Sequence, residues 1–314
     1  MLVAVSIHPL GALVQEIAGT DAEVLVLLPP GASPHSFEPT PRAVADGSRA
    51  AVVIRVGAGL DDWAAPIVRD ALRSGAPELT AAALLDSLLP AQSQDELLED
   101  EPARASHATS AEAQSAGGQL NDPHVWLDPI NMERLCGPIG EVLAQRDPEH
   151  AAAYRSRANV CRDSLTALDH QLRAWFQPVR GIPFVATHNA WSYLCRRYGL
   201  RQAEVVQAIA TREPGPRRMV KIMEAAAKVG ARAVFTEVQV SNASAMTLAS
   251  ELGLRIAMLD PQGTPDDPAR NRYFDLMRWN ATRIVAALKP EPDQEPAKGP
   301  APEPAPASEP GSPR

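Results

Sequence analysis

Apolar positions along the chain alternate between two patterns. Short β-branched or aliphatic runs, Leu2–Ile7, Glu23–Leu28 and Ala51–Val56 with a weaker Glu78–Ala82, fill the first quarter. Four more follow later, Phe184–Thr187, Ala203–Ile209, Ala233–Thr236 and Arg255–Leu259. Runs this short, bounded by Gly and Pro, predict buried strands. Between them the apolar residues recur every three to four positions, which predicts helices over Leu10–Ala18, Asp61–Arg73, Ala190–Tyr198, Pro216–Val229, Asn242–Leu252 and Arg270–Leu288. Strands separated by helices of this length imply parallel sheets built from βα units, twice over.

Between the two sets, Tyr154, Ala158, Cys161, Leu165, Leu168, Leu172 and Trp175 form one helical stripe, opened by Pro148 and closed by Pro178. At 1.5 Å per residue that helix is about 40 Å long, enough to lie across two lobes. The expected fold is therefore α/β: two (β/α) lobes with parallel sheets joined by one long connecting α-helix, with a binding site expected in the cleft between the lobes. The expected boundaries are residues 1–146 for the N-terminal lobe, 147–178 for the helix and 179–289 for the C-terminal lobe.

Two segments break the pattern. Residues 90–121 are poor in apolar side chains, carry Asp95, Glu96, Glu99, Asp100 and Glu101, and predict a mobile acidic loop. Residues 290–314 hold nine of the 30 prolines, interleaved with Ala and Glu. Such a segment cannot bury enough surface to offset its ordering entropy, so it is expected to be a disordered tail.

Composition narrows the function classes. A net charge of −8 without any basic cluster argues against nucleic-acid binding. No apolar run is long enough to span a bilayer. Residues 1–7 (MLVAVSI) show neither a basic region nor a small-residue cleavage site, so no export signal is legible there. Cys136, Cys161 and Cys195 are too few for a disulfide scaffold and lack metal-site spacing; buried apolar thiols are the plain expectation, with at most one pair.

Of seven histidines, His150 and His170 fall on outer positions of the long helix, His8 precedes Pro9 at a strand end, and His107 sits in the acidic loop. The other three are placed differently. His35 lies in PPGASPHSFEPTP, held by a backbone stiffened by five prolines. His124 lies in NDPHVWLDP, and His188 ends a strand in FVATHNAW. Asp260 holds the equivalent place in AMLDPQG. Ligands of open parallel sheets collect beyond the carboxyl ends of the strands, where most of these residues fall. Three neutral imidazoles and one carboxylate match a tetrahedral site for zinc, whereas manganese prefers more oxygen ligands. Taken alone, the same residues are equally consistent with structural histidines.

These segments, together with AVFTEVQVS, resemble the metal-binding proteins of ABC importers, the ZnuA/TroA-like cluster for zinc and manganese, over residues 2 to about 288. The resemblance implies ligands at His35, His124, His188 and Asp260. It also implies a periplasmic or extracytoplasmic monomer that binds Zn²⁺ and delivers it to an ABC permease and its ATPase. Members selective for manganese tend to carry Glu at the position of His188. The acidic loop holds one histidine where zinc members often have many, and no lipid-attachment cysteine lies near the start.

Four protein ligands close a tetrahedral shell, which argues against an enzyme. Zn²⁺ with three neutral histidines and one aspartate keeps a charge of +1, which a nearby carboxylate would cancel. Glu237 is the stronger candidate for that role and Glu38 the weaker; either could instead serve as a general base. Two alternatives follow: a zinc-dependent hydrolase with Asp260 displaced, and a metal-binding adhesin on the same scaffold. No GxSxG, P-loop or GxGxxG element supports another enzyme class.

Overall fold

In the computed structural model, residues 1–91, 121–207 and 213–289 are described. The expectations for the acidic loop, with its His107, and for the Pro-rich tail lie outside them.

Each half builds a four-stranded parallel sheet. The first contains β1 (Leu2–Val5), β2 (Glu23–Val26), β3 (Val52–Arg55) and β4 (Glu78–Thr80), in the order β2-β1-β3-β4. The second contains β5 (Pro183–His188), β6 (Arg201–Gln207), β7 (Ala233–Glu237) and β8 (Arg255–Leu259), in the order β6-β5-β7-β8. The two sheets thus share one topology. In both, the first strand of the half is flanked by the next two, so the chain leaves it to opposite sides. Helices cover the crossovers: α1 (His8–Ala18), α2 (Pro41–Gly47) and α3 (Ala65–Arg73) in the first half. After the first sheet come α4 (Pro129–Arg146) and α5 (Ala151–Phe176). The second half adds α6 (Ser192–Tyr198), α7 (Pro216–Val229), α8 (Ala243–Leu252) and α9 (Tyr273–Leu288).

The periodicity anticipates every strand and most helices, with ends moved by a few residues. Among the described residues two helices escape it, and both carry legible start signals. Thr40 caps α2 by accepting from the Ala43 amide at 3.2 Å, and Asp128 caps α4 by accepting from Ile130 at 2.9 Å. Each cap is followed by a proline at the first helical position, where the missing N–H costs nothing.

The long helix α5 buries Tyr154, Ala158, Cys161, Leu165, Leu168, Leu172 and Phe176. Phe176 replaces Trp175 at the end of the anticipated stripe. A straight α-helix drifts about 20° per heptad from a strict seven-residue repeat, so after three heptads the inward position has moved on by one residue. The helix is bound to both halves. Arg157 donates to the carbonyls of Ile17 and Ala18 at 2.7 and 2.9 Å and pairs with Asp21 at 2.7 Å. Its cation thus sits on the unsatisfied carbonyls at the end of α1, where the helix dipole favours positive charge. Toward the other half, the buried Asp169 forms a bidentate pair with Arg197 of α6 at 2.8 and 2.9 Å.

Hydrogen bonds also cross directly between the halves. The Trp126 indole donates to the Pro261 carbonyl at 2.7 Å, Tyr273 donates to Trp126 at 2.7 Å, and Tyr193 donates to Asp122 at 3.1 Å. Trp126 and Tyr273 are fully buried, so each of these polar groups has no water to fall back on. The result is one continuous apolar core through both halves, with a smaller cluster on the outer face of each sheet.

Candidate metal centre

Three segments distant in sequence converge at the strand ends. His35 follows β2 in the proline-stiffened loop, and the indole of Trp63 fixes that loop by donating to the Pro34 carbonyl at 3.1 Å. The Phe37 and Trp63 rings pack edge-on at 4.8 Å. His124 arrives from the segment before α4, and His188 is the last residue of β5. One ring nitrogen of each histidine lies within 4.8 Å of the other two. The ring centroids are 5.0–5.3 Å apart.

The His35 and His124 Nε2 atoms are 3.2 Å apart. A tetrahedral ion with Zn–N bonds of roughly 2.0–2.1 Å sets neighbouring nitrogens about 3.3–3.4 Å apart, so this pair already stands at the spacing such an ion requires. The cavity beside the rings holds about 10 Å³, room for a single ion or water.

Two of the three imidazoles are oriented by buried carboxylates. Asp122 Oδ1 lies 2.7 Å from His124 Nδ1 and also accepts from the His124 amide at 3.0 Å. Glu237 Oε2 lies 3.2 Å from His188 Nδ1, while Oε1 accepts from the Trp191 indole at 2.8 Å. An ionised carboxylate only accepts, so Nδ1 carries the proton in both rings and each Nε2 lone pair is left for an electrophile. Glu237 is 1% exposed and Asp122 2%.

His35 is exposed as a residue, although its Nε2 edge is turned against His124. Desolvation of the ring edge turned against the other histidines, and then the charges of His124 and His188, push its pKa from 6.5 down to about 2. The unfolded chain therefore takes up this proton as pH falls below the ordinary value, while the folded form does not until about pH 2. Stability contributed by the neutral ring is thus present above that window and is lost as pH drops through it. Metal-free protein is expected to melt at a lower temperature at about pH 5 than at about pH 7.5, and His35→Asn is expected to flatten that slope. Thermal unfolding followed by circular dichroism in chelator checks this.

Asp260 is buried directly after β8 but is not part of the three-histidine group. Its Oδ1 accepts from the amides of Gln262 and Gly263 at 2.9 Å each and from Gln239 at 2.8 Å. Its Oδ2 is held by Arg270 at 2.7 Å. Glu38 is exposed on the loop after His35. His8 starts α1 and contacts the Asn271 carbonyl at 3.1 Å, and His150 pairs with Asp147 at 2.9 Å.

Sequence reasoning passed over Asp122 and Arg270, and it noted Trp191 only as a fluorophore three residues after His188, not as a partner of Glu237. Asp122 had a local signal, since an Asp two residues before His can accept both the His amide and its ring proton. The other two act across 46 and 10 positions and had none.

Comparison with known proteins agrees with this architecture. A family model described as "Zinc-uptake complex component A periplasmic" matches residues 3–287. The high-affinity zinc uptake system protein ZnuA of Paracoccus denitrificans (strain Pd 1222) is 30% identical over 296 residues, covering 88% of each chain. A crystal structure of ZnuA superposes with a TM-score of 0.75 over 92% of this chain and 99% of its own, at 24% identity. The laminin-binding protein of Streptococcus agalactiae, described as having adhesin and metal-transporting activity, is 26% identical. It superposes with a TM-score of 0.73 over 92% of this chain and all of its own. The family and these relatives are metal-binding transport proteins rather than enzymes, which removes the hydrolase alternative. With two like-ordered parallel sheets and a family match running almost from end to end of the described residues, this chain belongs to the ZnuA family of zinc-uptake components.

Proposed function

We propose that this protein is an extracytoplasmic solute-binding protein that captures Zn²⁺ between its two halves and hands it to an ABC-type permease with its ATPase. The observation that carries the reading is the meeting of His35, His124 and His188 within 4.8 Å. Three nitrogen donors of one kind favour zinc over manganese, which takes more oxygen.

In this reading Asp260 supplies the fourth ligand. Its oxygens are occupied by Gln239, Arg270 and two amides, so loading exchanges at least one of those donors for the ion. Glu237 and Asp122 hold the imidazoles in the tautomer that faces the ion, and Glu237 offsets the residual charge. Among the described residues no helix is long and apolar enough to cross a membrane, in keeping with a binding component that meets its permease from outside the bilayer.

The test is a competitive titration of apo protein with zinc and manganese against a chelator of known affinity. One equivalent of zinc is expected to bind, at least about 100-fold more tightly than manganese. The Trp191 indole is hydrogen-bonded to Glu237, so its fluorescence should change with zinc. Equal affinity for both ions, or binding at several weak sites, would remove the reading.

A further inference from the structure

The reactive groups left unused by the metal site are the thiols. Helices α4 and α5 run antiparallel, joined by the short turn at Pro148–His150. Their register follows from contacts on both sides of the cysteines. Arg155 clasps Glu141 at 2.8 and 3.0 Å, and Arg162 lies 3.9 Å from Glu133. Between them, a Cβ on Gly140 would meet the Ala158 Cβ at 2.7 Å. The missing side chain therefore lets the two backbones approach more closely than the usual 8–10 Å between helix axes.

This register sets Cys136 of α4 opposite Cys161 of α5, one turn from that closest approach. Both are buried, at 0% and 4% exposure. The Cys136 thiol donates to the Met132 carbonyl at 3.5 Å, and its interaction with the Cys161 sulfur, followed by burial, holds it far above the ordinary thiol range. Cys161 also lines a cleft of about 690 Å³ shared with Arg157, Gln171 and Phe274. Cys195 lies elsewhere, on α6, against the backbone of Gln202. All three thiols are free in this structure.

We propose that Cys136 and Cys161 are a disulfide-forming pair, closed by a small disulfide oxidant as the protein folds in an oxidising compartment, so that α5 becomes covalently tied to α4. The chemistry is two successive exchanges with glutathione disulfide. The Cys161 sulfur gives up its proton and attacks one glutathione sulfur; the glutathione S–S bond breaks and the first glutathione leaves. The Cys136 sulfur gives up its proton and attacks the Cys161 sulfur, and the second glutathione leaves. Two protein thiols are oxidised to one S–S bond, and one glutathione disulfide is reduced to two thiols that take the two protons. In the folded protein both thiols are shielded, so the bond closes while the α4–α5 hairpin assembles. A closed bond constrains the unfolded chain and leaves any relative motion of the halves to the contacts between α5 and the second half.

The full chain, reduced and unfolded in chelator, is refolded in a glutathione redox buffer, alkylated and mapped by peptide mass spectrometry. The expected product is about 2 Da lighter, carries a Cys136–Cys161 linkage and has Cys195 alkylated. Its melting temperature is expected to exceed that of the reduced protein by roughly 5 °C or more. Cys136→Ala and Cys161→Ala should each abolish the mass change, and Cys195→Ala should keep it. Three free thiols after refolding, or a dominant linkage that includes Cys195, would overturn the proposal. Because mapping is done on the unsubstituted chain without metal, its outcome is independent of the zinc reading.

Discussion

His188→Ala is expected to weaken zinc binding by roughly 10²–10³-fold. Apparent zinc affinities of about 10–16 kcal/mol shared among the four proposed ligands leave about 2.5–4 kcal/mol for each. His188 is the first of the proposed ligands to remove. It ends β5, its ring borders the small cavity, and its buried partner Glu237 keeps the Trp191 indole as a donor. A chelator-competition titration of the parent and the variant measures the difference, with circular dichroism to verify the fold. A variant that holds zinc as tightly as the parent would remove His188 from the ligand set.

Glu237→Ala is expected to act on stability and binding together. The carboxylate is 1% exposed and accepts from the Trp191 indole at 2.8 Å while facing His188 Nδ1 at 3.2 Å. Removing it strands a buried N–H and leaves a cavity, which should cost about 2–4 kcal/mol of unfolding free energy. It also frees the His188 tautomer, which should cost about 10–100-fold in zinc affinity. Glu237→Gln separates the two effects. Its amide carbonyl can still accept from Trp191, so most of the stability should return, whereas the negative charge that favours the loaded site does not. Denaturant unfolding of apo protein reads the first effect and zinc competition the second. If Glu237→Gln bound zinc as tightly as the parent, the carboxylate's charge would have no part in holding the ion.

The hydrophobic pattern was enough to read two sets of parallel strands and the long helix between them, because these depend on neighbours a few positions away. The pattern missed α2 and α4, although their Thr40-Pro41 and Asp128-Pro129 starts are present in the sequence. The histidines could be picked out by position, since His35 and His188 sit in segments that leave strands at their carboxyl ends. Their convergence could not be read from spacing, because His35 and His124 are 89 positions apart within the first half and His188 comes from the second.

What the sequence determined by itself, then, is the supply of parts: strand and helix propensities, proline-stiffened loops, and three imidazoles carried on separate segments. The tertiary structure alone decided how those parts are held. It put Asp122 and Glu237 behind two of the rings, surrounded Asp260 with Gln239, Arg270 and two backbone amides, and set the register that faces Cys136 toward Cys161. It also moved the end of the α5 stripe from Trp175 to Phe176. The physical reason is range. Periodicity and capping are energies of adjacent turns, whereas a buried ion pair or an oriented imidazole depends on which distant group arrives to satisfy it once water has been excluded.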